Sequence, residues 1–70
     1  MALELIEDFT AICVCQPDEE RLNGVELYGE YDCDYVKNEA GRKFYIIYFD
    51  DESKVKLGTR EFNKYFERNF

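Results

Sequence analysis

Residues 44–49 read FYIIYF, and this stretch decides the fold. All six residues are aromatic or β-branched, the side-chain types that are enriched in strands. Both alternating faces of the stretch are apolar, which is typical of a strand buried on two sides. We therefore predict that a strand over residues 43–49 is the central strand of a β-sheet.

The residues that precede this strand predict its antiparallel partner. Over residues 30–37, aromatic residues and a cysteine alternate with acidic residues, the period of two expected for a strand. Residues 38–41 supply a four-residue hairpin turn in which Gly41 can adopt a positive φ. After the acidic turn at 50–53, residues 54–57 alternate again and place two lysines toward solvent, as on a protected sheet edge.

The N-terminal part of the chain predicts one further strand. Residues 9–16 alternate with both faces fairly apolar, so we expect a strand that is covered on both sides and ends at Pro17. Residues 3–6 could start a short helix. Residues 25–28 could form a short strand or belong to a longer loop.

The hydrophobic period changes from 2 to 3.6 after Gly58. Phe62, Tyr65 and Phe66 have the i, i+3, i+4 spacing of one helix face, which predicts a helix over residues 60–68. Thr59 is the expected N-cap. The fold class is therefore mainly β with one C-terminal helix, in a single domain over residues 1–70. We expect a small antiparallel Src-homology-3-like barrel; the alternative is an open antiparallel sheet with the helix packed on one face.

The predicted core follows from the inward positions of these elements. Its members are Phe9, Ala11, Val14, Tyr31, Cys33, Phe44, Ile46, Ile47, Val55, Leu57, Phe62 and Phe66. Five tyrosines, at positions 28, 31, 35, 45 and 48, are too many for one small core, so some are expected to form a surface patch.

Three segments together carry a family resemblance: Gly24 with Tyr28-Gly29-Glu30-Tyr31, then the strand at 44–51, then Glu61-Phe62 with Tyr65-Phe66-Glu67. Over residues 24–67 the chain resembles short, mostly uncharacterised barrel proteins of Gram-positive bacteria and their phages. The resemblance implies a compact cytosolic barrel without an assigned active site, and it transfers no functional residue.

Charge is unevenly distributed along the chain. Residues 1–36 carry ten carboxylates and one base, residues 54–70 carry five bases and two acids, and the net charge is −7. Such a distribution bears on partners and solubility. The N-terminus lacks a secretory pattern and no apolar run approaches about 20 residues, so we expect a cytoplasmic protein.

The acidic residues are the main candidate binding surface. Glu30, Asp32 and Asp34 form a ladder with a spacing of about 6.6–6.8 Å, which is about half as dense as the phosphates of one DNA strand. Mimicry of DNA would need a second acidic row, which the loop acids could supply if the loop folds back. The plainer interpretation is a solvated face that keeps the protein soluble. The predicted partner-binding residues, with Tyr28 as an apolar anchor, are Asp18, Glu19, Glu20, Glu26, Tyr28, Glu30, Asp32 and Asp34.

Catalytic and metal sites are not expected. The chain has no His, which excludes a nucleophile activated by a His base. Cys13 and Cys15 share a strand face, but their spacing and the lack of a fourth ligand do not suit a structural zinc site. We predict no cofactor, no metal and three reduced cysteines that fill the core, with an intermolecular bridge through Cys33 left open.

The lack of a catalytic or metal site and the cluster of acidic residues together predict a binding function. We expect a small acidic interaction protein, encoded by a phage, that inhibits a host protein with a basic, nucleic-acid-handling surface. One alternative is a structural or accessory domain that associates with itself, forming a homodimer. A second alternative binds nucleic acid through the basic C-terminal residues Lys54, Lys56, Arg60, Lys64 and Arg68.

Overall fold

The computed structural model describes residues 3–69. Its elements are β1 (Glu4–Cys13), a 3₁₀ turn (Glu20–Leu22), β2 (Glu30–Lys37), β3 (Lys43–Tyr48), β4 (Lys54–Leu57), α1 (Thr59–Tyr65) and β5 (Phe66–Asn69). The strands form one antiparallel sheet in the order β4-β3-β2-β1-β5. The prediction of a mainly β fold with one helix near the C-terminus is confirmed.

The sheet is open. Among residues 3–69, no pairing joins β4 to β5 at the two ends of the strand order. The chain instead runs from β4 through α1 to β5, and α1 contacts β3, β4 and β5. An open sheet with the helix packed on one face, our alternative, therefore describes the molecule better than a Src-homology-3-like barrel.

The three predicted antiparallel strands over residues 30–57 form a meander, as expected, but the place of this meander in the sheet differs from our prediction. β3 pairs with β2 and β4, while β2 pairs on its other side with β1. Because β1 and β5 extend the sheet beyond β2, the central strand is β2 and not β3. The expectation that β4 is a lysine-bearing edge is confirmed by the strand order.

β1 begins earlier and ends earlier than predicted. Residues 4–8 belong to the strand, so the short helix suggested for residues 3–6 is wrong; a bulge between Leu5 and Glu7 interrupts the pairing with β2. The strand ends at Cys13 because the N–H groups of Val14 and Cys15 turn to the carbonyl of Tyr65, at 2.8 and 3.3 Å.

The C-terminal segment contains a strand that the sequence did not predict. α1 ends at Tyr65 and not at residue 68, and Phe66 adopts an extended conformation with φ −129° and ψ 158°. β5 follows at once, and Phe66 pairs with Cys13 of β1. The N-cap is Gly58 and not Thr59: the Gly58 carbonyl accepts from the Phe62 N–H at 2.9 Å.

The main core lies between α1 and the sheet. The loop between β1 and β2 joins this layer, and its side chains Leu22 and Val25 are buried beside α1. Eight predicted core residues are buried, namely Ala11, Cys33, Phe44, Ile46, Ile47, Leu57, Phe62 and Phe66. Phe9, Tyr31 and Val55 are partly buried and pack against this core. The prediction for Val14 is wrong, because Val14 lies beyond the end of β1 and is exposed. Cys13 is buried, as expected for a core-filling cysteine, and further buried residues that we did not predict include Leu22, Val25, Val36, Tyr45 and Tyr65.

Aromatic rings fill much of this core. The Tyr45 ring lies between those of Tyr35 and Phe62, at centroid distances of 4.5 and 3.9 Å. Arg68 of β5 packs its guanidinium over the Phe9 ring at 4.4 Å and forms a salt bridge with Glu7. This cation holds β5 and β1 together on the helix side of the sheet.

Candidate functional site

The second face of the sheet, opposite α1, carries the acidic ladder. Side chains alternate along β2, so Glu30, Asp32 and Asp34 point away from buried Cys33, which faces the helix. The register places Asp34 directly opposite Asp8 of β1. We call the four carboxylates Asp8, Glu30, Asp32 and Asp34 the acidic face.

Two of these carboxylates accept hydrogen bonds from neutral side chains. The Tyr48 hydroxyl donates to Asp34 Oδ2 at 2.8 Å, and Asn69 Nδ2 donates to Glu30 Oε1 at 2.6 Å. The bond to Asp34 is the main reason that the pKa of Tyr48 is raised, because it stabilises the protonated hydroxyl that donates it. Within residues 3–69, no member of the acidic face takes part in a salt bridge.

The acidic face borders an apolar strip on the same side of the sheet. Val36, Phe44 and Ile46 form a second buried cluster, with Tyr48 packed against it. The Lys56 ammonium lies 4.8 Å from the centroid of the Phe44 ring and covers part of this strip. A shallow cavity of about 520 Å³ lies among Asp8, Asp34 and Tyr48. The surface therefore joins negative charge to a recess that can receive a side chain.

The loop acids do not extend this surface. Their loop packs against α1 through Leu22 and Val25, on the opposite side of the sheet. The Tyr65 hydroxyl contacts Asp18 at 3.4 Å, and Glu19 pairs with Arg21 at 3.3 Å. The predicted partner-binding set is thus divided: Glu30, Asp32 and Asp34 lie together, while Asp18, Glu19, Glu20 and Glu26 belong to the helix-side loop.

Tyr28 lies at the end of this loop, two residues before β2. Of the six tyrosines, all within the described residues, Tyr28 is the one that is largely exposed, at 71%. The expected surface patch of several tyrosines is therefore absent, because the others enter or border the core. Tyr28 also has a φ of 65°, a conformation that costs energy for a bulky residue and is held here by its N–H bond to the Cys13 carbonyl.

The three cysteines occupy two different environments. Cys13 and Cys33 are buried, whereas Cys15 is exposed because β1 ends before it, which corrects its placement on the inner strand face. Burial raises the pKa of Cys33 to about 12, with Asp34 adding to the shift. Within residues 3–69, no three His, Cys, Asp or Glu side chains form a group that could hold a metal ion.

The basic C-terminal residues are dispersed over three elements. Lys54 and Lys56 belong to β4, Lys64 to α1 and Arg68 to β5. Arg68 is engaged with Glu7, and the Lys64 ammonium lies over the Tyr65 ring. Arg60 also belongs to α1, so the five bases of this set are divided between an edge strand, the helix and the last strand.

Sequence reasoning missed Asp8 as a member of the acidic face. We had begun the first strand at residue 9, so the alternation of Asp8, Thr10 and Ile12 on one face was not recognised. The register of β1 with β2 brings Asp8 to Asp34 across 26 positions of sequence. The alternation could have been found by extending the strand toward the N-terminus.

Comparisons with protein-family models, with curated proteins and with solved structures found no match for this chain. In the part of the chain that the structure describes, no helix has the length and apolar character needed to cross a membrane.

Proposed function

We propose that this protein is a non-catalytic interaction module that binds a cationic protein surface on its acidic face. The observation that carries the proposal is the pair Asp8–Asp34. Two carboxylates directly opposite each other on neighbouring strands destabilise a sheet. A Lys or Arg from a partner would relieve this repulsion. Binding of a cation between Asp8 and Asp34 would therefore also stabilise the folded sheet.

The surroundings of the pair support a protein partner. The recess beside Tyr48 and the apolar strip of Val36, Phe44 and Ile46 offer the mixture of apolar and polar contacts found at interfaces. Tyr28, exposed two residues before β2, is an additional aromatic residue that a partner could bury. Negative charge would also increase the association rate with a basic partner at low salt.

The identity of the partner is a further part of the proposal. A basic surface that handles nucleic acid suits an acidic ligand, and the resemblance to phage proteins motivates an inhibitor of a host protein in the cytoplasm. The ladder has one opposing acid, Asp8, instead of a complete second row, and the loop acids lie on the other side of the sheet. We therefore favour recognition of a cationic patch over close mimicry of DNA.

Matched charge variants test this proposal. Asp32→Asn/Asp34→Asn removes two charges from the acidic face, and Asp18→Asn/Glu19→Gln removes two from the helix-side loop. Binding partners captured from host lysate at low and high salt are identified, and their association rates with each variant are measured. We expect the acidic-face variant to lose binding, the loop variant to retain it, and the rate to fall as salt increases.

Two outcomes would contradict the proposal. Equal loss of binding in both variants would show a general effect of net charge. A dimer seen by light scattering, with no partner captured at either salt concentration, would favour the self-associating domain.

A further inference from the structure

A basic cavity lies at the opposite edge of the sheet from β5. It has a volume of about 500 Å³, within the range of small-molecule sites. The hairpin turn between β2 and β3, the strand β4 and the segment at Gly58–Thr59 border this open cavity. The residues that line it are Arg21, Asn38, Arg42, Lys43, Phe44, Lys56, Gly58, Thr59 and Glu61.

The charge of this cavity is opposite to that of the molecule. Four bases and one acid line it, which gives a local charge of +3 in a chain whose net charge is −7. Glu61 is already paired with Arg21. Among the described residues, Arg42, Lys43 and Lys56 form no salt bridge, so no carboxylate neutralises their three charges. The Lys56 ammonium lies over the ring of Phe44, which also lines the cavity.

The bases without a salt bridge are concentrated at this cavity. All nine Lys and Arg residues lie within residues 3–69, and three of them, Arg21, Lys37 and Arg68, form salt bridges. Six bases are left without one: Arg42, Lys43, Lys54, Lys56, Arg60 and Lys64. Half of these six line a single cavity.

Several contacts hold the walls of the cavity in place. Arg21 donates to the carbonyl of Lys56 at 2.8 Å and is salt-bridged to Glu61, which ties the loop to β4 and α1. The Asn38 side chain accepts from the Arg42 N–H at 2.9 Å and fixes the hairpin turn. These contacts hold the backbone around the site in place before a ligand arrives, which lowers the entropic cost of binding.

We propose that this basic cavity binds a compact phosphate dianion, either free phosphate or the terminal phosphate of a small monoester. Three cations, together with the Asn38 amide and the Thr59 hydroxyl, match the charge and the several acceptor oxygens of such a group. A nucleic-acid strand fits less well, because the rest of the chain carries a charge of −10 and would repel a polyanion.

Titration of the ¹⁵N-labelled full chain with inorganic phosphate at constant ionic strength tests the site. We expect saturable amide shifts confined to the hairpin turn, β4 and Gly58–Thr59. Arg42→Gln/Lys43→Gln should weaken binding about four- to twenty-fivefold, because each exposed ion pair is worth about two- to fivefold. Lys54→Gln/Lys64→Gln removes the same charge outside the cavity and should leave the affinity nearly unchanged.

The same titration distinguishes free phosphate from a phosphate monoester, and it can also contradict the proposal. Glycerol phosphate and adenosine monophosphate, used in place of inorganic phosphate, show whether a monoester is preferred at the same amides. Equal weakening by both double variants, or shifts spread over Arg60 and Lys64, would overturn the site. Binding of a single-stranded oligonucleotide without binding of phosphate would overturn it as well.

Discussion

The two faces of the sheet differ in how far other elements cover them. On the helix side, α1 and the loop between β1 and β2 cover a layer of aromatic rings around Tyr45 and Phe62. On the other side, a small apolar strip at Phe44 and Ile46 is bordered by carboxylates, and no helix covers it among the described residues. The helix side therefore holds the larger core, and the other face leaves its carboxylates open to solvent or to the partner that we propose.

Thiol chemistry gives the largest expected contrast. Cys13 and Cys33 lie under the helix layer and Cys15 lies outside it. We expect one thiol per chain to react rapidly with a disulfide reagent at pH 8, and two to react about a thousandfold more slowly, because burial raises their pKa and blocks access. Cys15→Ser should abolish the rapid phase. Three rapid thiols in the native chain would show that the helix side is open to solvent.

Truncation of a phenylalanine on each face compares their contributions to stability. Phe66 is 1% exposed beneath the helix layer, so Phe66→Ala should cost about 3–5 kcal/mol of unfolding free energy. Phe44 is covered partly by the flexible chain of Lys56, and Phe44→Ala should cost about 1.5–3 kcal/mol. Urea titrations of both variants measure the difference. A smaller loss for Phe66→Ala than for Phe44→Ala would show that the helix side does not contribute more to stability than the other face.

The smallest expected effect concerns the hydrogen bond on the acidic face. Tyr48→Phe removes the bond to Asp34 and should cost about 0.5–1 kcal/mol, since the site is partly exposed. The folded state raises the pKa of Tyr48, so this contribution is present below the ordinary tyrosine pKa near 10 and is lost as pH rises through the folded value. Urea titrations of both chains at pH 8 and pH 11 measure it. A difference that persists at pH 11 would argue against the hydrogen bond as its source.

The meander could be predicted because the residue pattern that specifies each of its strands and turns is local in sequence. The segments 30–37, 43–48 and 54–57 alternate with period two and are separated by short turns, so pattern and connection agree. The helix at 59–65 was predictable for the same reason, although we predicted that it extends to residue 68. Phe62, Tyr65 and Phe66 have helical spacing, but Phe66, Glu67 and Arg68 also alternate as a strand does.

The amino-acid sequence by itself determined the strand-rich meander, the single short helix and the excess of negative charge. Only the tertiary structure decided that residues 66–69 pair with β1, because Phe66 and Cys13 are 53 positions apart and no local pattern reports such a contact. The same applies to the acidic face and the basic cavity. Asp8 lies opposite Asp34 through strand register, which depends on how the whole sheet buries its apolar side chains. Arg42 and Lys56 line one cavity because β3 pairs with β4.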